Sequence, residues 1–320
     1  MNTRQQLEIL DLHPQIENVA SEVCEGLKKQ QKSLSPKFFY DERGSELFEA
    51  ITQLDEYYPT RKELEIFDAH LPEIAELIDE GSCIIEYGSG SSLKIRKLFE
   101  ALSPLAYVPV DISRDYLLDN AMALAQDFPQ LTVLPVCADI SQPITLPEQS
   151  VGLNLIGFFP GSSIGNFEPN HAKQFLGRVA TTLGSGGYLL IGVDCKKDPA
   201  VLERAYNDAR GITAAFNVNA LSHLNHVLGT KFQLDAFEHE AHYNQEAGCI
   251  QMFLRSTAQQ QVSIGGSVFA FEQGERLHTE NSYKYAPDEF VCLAEDAGFR
   301  CEHYWQDADA YFGLYLLEVP

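Results

Sequence analysis

From residue 83 to residue 194 the chain alternates short apolar runs with longer stretches whose apolar residues return every three or four positions. Cys83–Tyr87, Ala106–Val110, Leu131–Val136, Leu153–Phe159 and Tyr188–Val193 read as strands. Residues 93–102, 116–126 and 171–183 read as helices between them. Strand–helix alternation predicts a parallel sheet with helices on both faces, an α/β fold. A helix over 287–297 and two strands, 301–306 and 311–318, complete the same sheet as an antiparallel ending.

The flanking segments follow another rhythm. Residues 14–27 form an amphipathic helix with Pro14 in its first turn and Ile16, Val19, Val23 and Leu27 on one face. A tyrosine-rich stretch from Phe38 to Thr60 follows. Thr60 with Glu63 three residues later is a capping-box pattern, so a helix is expected to start there, with Leu64, Phe67, Leu71, Ile74 and Ile78 as its apolar stripe. Residues 200–228 read as helical, and 235–272 as antiparallel strands turning at Asn244–Gly248 and Gly265-Gly266. The expected organisation is a sheet domain over 61–196 and 285–320. A second, α+β domain is built from 1–60 and the insertion 197–284.

Charge narrows the partners. The chain carries 23 Lys+Arg against 46 Asp+Glu, a net charge of −23, with no basic run beyond pairs such as Lys28-Lys29. Neutralising phosphates needs clustered cations, so nucleic acid and anionic membranes are not expected partners. The seven cysteines lack metal-ligand spacing and read as free thiols of a reducing compartment. The polar N-terminus and the lack of a long apolar run imply a cytoplasmic protein without a leader or membrane span. His223 and His226 lie at i, i+3 without partner carboxylates, and His239 and His242 fall on opposite faces of a strand, so no metal site is expected.

The candidate chemistry sits at strand ends. Glu86-Tyr87-Gly88-Ser89-Gly90 follows the first sheet strand, where glycines let a ligand approach the backbone. Asp111 closes the second strand 21 residues beyond Gly90, placed to accept ribose hydroxyls, and Asp139 closes the third, placed to meet an adenine amino group. Adenosine occurs in both nicotinamide cofactors and S-adenosylmethionine. A pyrophosphate wants a third glycine, and Ser92-Leu93 stand there instead, which favours S-adenosylmethionine. Lys94 is placed to meet a methionyl carboxylate. Gly161-Ser162-Ser163-Ile164-Gly165-Asn166 follows the fourth strand, and Asn166 offers one acceptor and two donors to a zwitterion.

These segments, with KSLSPKFFYDERGSELFEAITQLDEYYPTR, VPVDIS, ERAYNDARGITAAFN, LDAFEH and HTENSYKY, resemble the histidine-specific Nα-methyltransferases of ergothioneine biosynthesis over nearly the whole chain. The resemblance implies a class I methyltransferase Rossmann-like sheet with a second α+β substrate domain. It implies S-adenosylmethionine as cofactor, S-adenosylhomocysteine as its product, and L-histidine as a small-molecule substrate, methylated three times to hercynine by a monomer. It places Gly88, Lys94, Asp111, Asp139 and Ile140 at the cofactor, with Ile140 standing where an aromatic is usual. It places Tyr57, Gly161, Asn166 and Tyr206 at the amino-acid head group, with Tyr57, Asn166 and Tyr206 as the catalytic set. Glu280 and Ser282 recognise the imidazole, and Asn281 between them contributes its backbone. Tyr40 and Phe48 help close the pocket, and Met252 lines it.

No strong base is evident, and none is required, because an α-amino group titrates near neutrality. Asn166 and Tyr206 would fix the carboxylate, while Tyr57 and the loop from Gly161 orient the amine. The alternatives are an N-methyltransferase of another amino acid, such as a tryptophan derivative, a nicotinamide-dependent oxidoreductase and a silent adenosyl-binding regulator.

Overall fold

The computed structural model describes residues 7–12, 16–78, 81–90 and 93–320. Pro14, Ser91 and Ser92 lie outside the described residues, as does the side chain of Ile16. The chain divides into two compact units: residues 1–13, 59–196 and 285–320, and residues 14–58 and 197–284.

In chain order, β1 is Leu10–Asp11, α1 Ile16–Lys28, α2 Glu42–Thr52 and α3 Tyr58–Leu77. The α/β run is β2 (Cys83–Tyr87), α4 (Leu93–Leu102), β3 (Ala106–Asp111), α5 (Arg114–Asp127), β4 (Thr132–Val133), β5 (Val136–Cys137), β6 (Leu155–Phe159), α6 (Pro169–Leu183) and β7 (Tyr188–Asp194). Then come α7 (Pro199–Tyr206), α8 (Ile212–Leu228), β8 (Phe237–Asn244), β9 (Cys249–Ser256), β10 (Gln260–Ile264), β11 (Ser267–Phe271) and β12 (Arg276–Tyr283). The chain closes with α9 (Pro287–Glu295), β13 (Arg300–Gln306) and β14 (Phe312–Glu318).

In the first unit the sheet order is β1-β5-β3-β2-β6-β7-β14-β13, with β4 also on β3. Strands β1 to β7 pair in parallel, and β14 runs antiparallel between β7 and β13. Every residue of β2 is buried, as a central strand covered on both faces requires. From β2 the chain builds outward to β3 and β5, then returns to the other side for β6 and β7. The carboxyl ends of β2, β3, β5 and β6 therefore flank a topological switch point, where open α/β sheets bind ligands. Phe67 and Ile74 of α3, Ile95 and Leu98 of α4 and Ile84 of β2 share the core beneath.

Four local readings change. Thr60 lies inside α3, which starts two residues earlier, and Glu63 is a fully buried side chain rather than a cap. The expected strand 131–136 is two short pieces, β4 and β5, separated at Leu134-Pro135, since proline has no ladder N–H to give. The helical stretch 200–228 breaks at Asn207–Gly211, where Asp208 accepts from the N–H groups of Ile212 and Thr213 and starts α8 anew. Strand β1, from the N-terminal arm, pairs with β5 of the sheet and not with the insertion.

In the second unit, β8, β9 and β12 form an antiparallel sheet in the order β12-β9-β8, and β10 and β11 form a separate hairpin. Helix α8 packs against α1, α2 and β8. An aromatic cluster joins the arm to α8: Phe39 lies 4.6 Å from Phe216, and Tyr40 and Phe48 lie 5.5 and 5.9 Å from it.

Candidate active site

In the first unit the glycines after β2 meet a steric requirement. Gly88 has φ +72°, a region that L side chains rarely adopt, and a Cβ there would enter open space. The backbone is thus bare where a ligand can lie against it. Asp111, at the end of β3, accepts from the N–H groups of Gly90 at 3.3 Å and Ser113 at 2.9 Å. Burial holds its carboxyl above the ordinary aspartate range, against those two bonds. Asp139 accepts from Ser141 N–H at 2.9 Å. The neighbouring Ile140 lines a cavity of about 570 Å³ with Tyr87, Pro143, Phe175 and Arg178.

Lys94 is not a solvated lysine. Its ammonium, near the start of α4, pairs with the fully buried carboxylate of Glu63 on α3. Both oxygens of Glu63 also accept the backbone N–H of Gly161 at 3.0 Å. Gly161 has φ +75°, so the loop after β6 starts on a residue whose conformation favours glycine. One buried carboxylate thus joins an expected cofactor contact to an expected substrate loop. Asn166 ends the 3-10 turn Ser163–Asn166 and is half-buried. Nearby, Glu86 is buried in β2, and burial pushes its carboxyl up to about 8 despite the hydrogen bond it accepts from Tyr107.

In the second unit Tyr206 is the last residue of α7 and is buried. Its hydroxyl lies 2.8 Å from Ser282 Oγ and accepts from Lys284 Nζ at 3.0 Å. Lys284 also donates to Ser282 at 2.8 Å. His239 Nε2 lies 2.8 Å from the carbonyl of Tyr206, and its Nδ1 lies 2.8 Å from the amide nitrogen of Asn217. The imidazole therefore donates to Tyr206 and accepts from Asn217, which is the neutral Nε2–H form. Tyr57 packs edge-on to Tyr206 at 6.3 Å and to Phe48 at 6.2 Å.

Glu280 and Ser282 belong to β12, beyond the stretch 235–272 that the sequence marks as strands. Alternation along the strand puts both on one face, and Lys284, two residues further, continues it. Glu280 is 94% buried, with a relative exposure of 6%. It has no hydrogen-bond partner among the described residues, and burial pushes its carboxyl up to about 7 against the opposing field of Lys284. Asn281 turns the other way. Its side chain accepts from Gln251 at 3.2 Å and contacts His278 at 2.8 Å, which leaves only its backbone for the Glu280 face.

The structure thus gathers Gly88, Asp111, Asp139, Lys94, Gly161 and Asn166 at the sheet's carboxyl edge, and Tyr57, Tyr206, Glu280 and Ser282 within the second unit. Sequence reasoning missed Glu63 and Lys284. Glu63 resembled a helix cap, and nothing local distinguished it. Lys284 carried a signal, because polar residues at 280, 282 and 284 alternate on a strand.

The family model for histidine-specific, S-adenosylmethionine-dependent methyltransferases matches residues 19–319. The chain belongs to this family. It is a methyltransferase, and its sheet has the expected α/β architecture of parallel strands with an antiparallel ending. A histidine N-alpha-methyltransferase of Mycolicibacterium smegmatis is 39% identical, covering 94% of both chains. One of Mycobacterium tuberculosis is also 39% identical, over 92% of this chain and 93% of that one. Ergothioneine biosynthesis protein 1 of Neurospora crassa is 34% identical over 91% of this chain, which matches a third of that longer protein. The nicotinamide-dependent alternative falls with the family assignment. No described helix is long and apolar enough to cross a membrane.

Proposed function

We propose that this enzyme transfers methyl groups from S-adenosylmethionine to the α-amino nitrogen of L-histidine, three times in succession, giving hercynine and S-adenosylhomocysteine. The observation that carries the substrate assignment is Glu280. Its buried carboxylate has no hydrogen-bond partner among the described residues, which is costly unless a ligand completes it. An imidazole N–H does so, and Ser282 on the same strand face reaches the second ring nitrogen. The names of the relatives support the same reading.

When bound, S-adenosylmethionine supplies an electrophilic methyl on its sulfonium. The residues around Gly88 fit that group, with bare backbone at Gly88 and a carboxylate at Asp111 for the ribose. We assign the adenine end to Asp139 and Ile140. Lys94 spends one ammonium proton on Glu63 and keeps two for the methionyl carboxylate. We assign Asn166 and Tyr206 to the substrate carboxylate, and Tyr57 and Gly161 to the amine. Binding the amine as the neutral base suffices for attack, and the proton leaves to water.

We read the enzyme as a cytoplasmic monomer acting on a free amino acid without a metal. The net charge of −23 and the free cysteines support this. Among the described residues no cluster of three His, Cys, Asp or Glu could hold a metal.

The test is mass spectrometry of the purified enzyme with S-adenosylmethionine and the twenty amino acids together. Three methyl groups on histidine alone are expected. Methylation of a different amino acid overturns the reading of Glu280 and Ser282.

A further inference from the structure

Glu86 is a buried carboxyl group to which the reaction described above gives no task. It lies on the central strand β2, 1% exposed, two residues before Gly88. Among the described residues its one hydrogen bond comes from the Tyr107 hydroxyl on β3. On β6 its register neighbour is Phe158, which brings no charge. The charged groups that act on it are Lys94 on α4, Asp111 on β3 and Glu63 on α3. Three carboxyl groups thus share one ammonium, and that ammonium already pairs with Glu63. Burial and two like charges oppose ionisation of Glu86, and one phenol O–H does not offset them. Its carboxyl is pushed up to about 8, so the free enzyme holds it protonated at neutral pH.

The same neighbours place Glu86 relative to the cofactor. Asp111 is assigned to the ribose and Lys94 to the methionyl carboxylate. The sulfur of S-adenosylmethionine is bonded between those two ends of the molecule. A group under the influence of both Asp111 and Lys94 is therefore within the field of the sulfonium. We propose that Glu86 is a charge-selecting residue, which holds a proton in the free enzyme and releases it to solvent when S-adenosylmethionine binds, so that the site favours the sulfonium over the thioether product. The inference rests on the cofactor reading above. One positive charge enters the buried site and one proton leaves it. S-adenosylhomocysteine brings the same adenosine and the same zwitterionic tail with a neutral sulfur, so Glu86 keeps its proton. Methyl transfer moves the positive charge from sulfur to the amine nitrogen, and Glu86 regains a proton from solvent as the thioether departs. Successive transfers require a fresh cofactor each time, and selection against the thioether serves every cycle.

Glu86→Gln is the decisive variant. Its amide imitates the protonated carboxyl, still accepts from Tyr107 and cannot ionise. Calorimetric titration of the full-length enzyme without histidine, in two buffers of different ionisation enthalpy, counts the protons released. At pH 7 the wild type should release roughly half a proton more than Glu86→Gln on binding S-adenosylmethionine, and no more than it on binding S-adenosylhomocysteine. From pH 6.5 to 8.5 the affinity ratio of S-adenosylmethionine to S-adenosylhomocysteine should rise about 5- to 10-fold further in the wild type than in the variant. Titration of the ligands' own amino groups is common to both proteins and cancels. A merely structural role weakens both ligands together and leaves the pH dependence of their ratio unchanged. If Glu86→Gln does not fold, Tyr107→Phe removes the O–H that supports the carboxylate and should move the rise to higher pH. Equal proton release by the wild type and Glu86→Gln overturns the proposal, and so does equal release with the two ligands. Failure of the cofactor reading shows separately, as wild-type enzyme that binds neither ligand.

Discussion

Met252 and Glu280 stand directly opposite each other on the antiparallel strands β9 and β12, and both are buried. Cross-strand partners project from the same face of a sheet. An apolar, adaptable side chain thus lies beside a carboxylate that has no hydrogen-bond partner among the described residues. The carboxylate supplies polar discrimination and the thioether supplies room. Replacing Glu280 by Ala should cost about 2–4 kcal/mol in kcat/KM for histidine, roughly 30- to 1000-fold, and raise turnover of phenylalanine or tryptophan. Competition assays with mixed amino acids check this, and undiminished histidine selectivity would sink it.

The same carboxylate should reveal itself in stability. Burial holds Glu280 at about 7 in the folded chain against 4.5 for an ordinary glutamate. The folded state therefore favours the protonated form. Below pH 4.5 the residue costs nothing by ionisation, and as pH rises from 4.5 to 7 it progressively destabilises the fold. The cost above pH 7 is about 3 kcal/mol from a shift of this size. Glu280→Gln lacks this ionisation. Its thermal midpoint without ligand should match the wild type near pH 4 and exceed it by several degrees at pH 8. A constant difference across that range contradicts the assignment.

Much of the sheet was legible in the sequence because its strands are continuous apolar runs and its helices carry regular stripes. Cys83–Tyr87 and Leu93–Leu102 have the expected bounds in the structure. What escaped depends on tertiary partners. Glu63 sits at a position where a cap and a buried ion-pair partner look the same, and only the approach of Lys94 and Gly161 distinguishes them. Asp208 interrupts the helical stretch with a side chain that bonds the backbone beyond it, a local competition that apolar periodicity does not register. The TENS segment, rich in polar residues, reads as a loop. It is a strand because Glu280 and Ser282 point into a buried polar face, where composition misleads and alternation does not.

Glu63 provides a third test. Removing it leaves the Gly161 N–H and the Lys94 ammonium without their partner. Breaking one side of a buried pair costs about 3–5 kcal/mol, so Glu63→Ala should lower the thermal midpoint sharply. Gly192 on β7 gives an independent route to the same result. A Cβ added there would collide with the Glu63 carboxylate, so Gly192→Ala should reproduce much of the loss. In Glu63→Gln the shape survives and the charge does not. Calorimetry should then show S-adenosylmethionine bound about 10-fold more weakly, because Lys94 loses the charge that holds it in place. Equal affinity in this variant would separate Lys94 from cofactor binding.

His239 is expected to set the acid limit of the Tyr206 site. Burial lowers its pKa from 6.5, against the bond to the Tyr206 carbonyl and the fields of Asp208 and Glu240. Its Nδ1 accepts from Asn217, and a proton there would set donor against donor. The folded state thus prefers neutral His239. The stability it contributes is present above about pH 6.5 and is lost as pH falls below that value toward the folded pKa. Since His239 holds the carbonyl of Tyr206, this loss should loosen Tyr206 before the sheet unit responds. Substituting His239→Gln retains a donor for that carbonyl and removes the titration. Between pH 7 and pH 5 the wild type should lose stability relative to this variant. Its KM for histidine should rise more steeply than the variant's, with the affinity for S-adenosylmethionine unchanged in both. Parallel pH profiles for the two proteins would show that His239 does not titrate in this window, and the acid limit would then belong to the substrate's own imidazole.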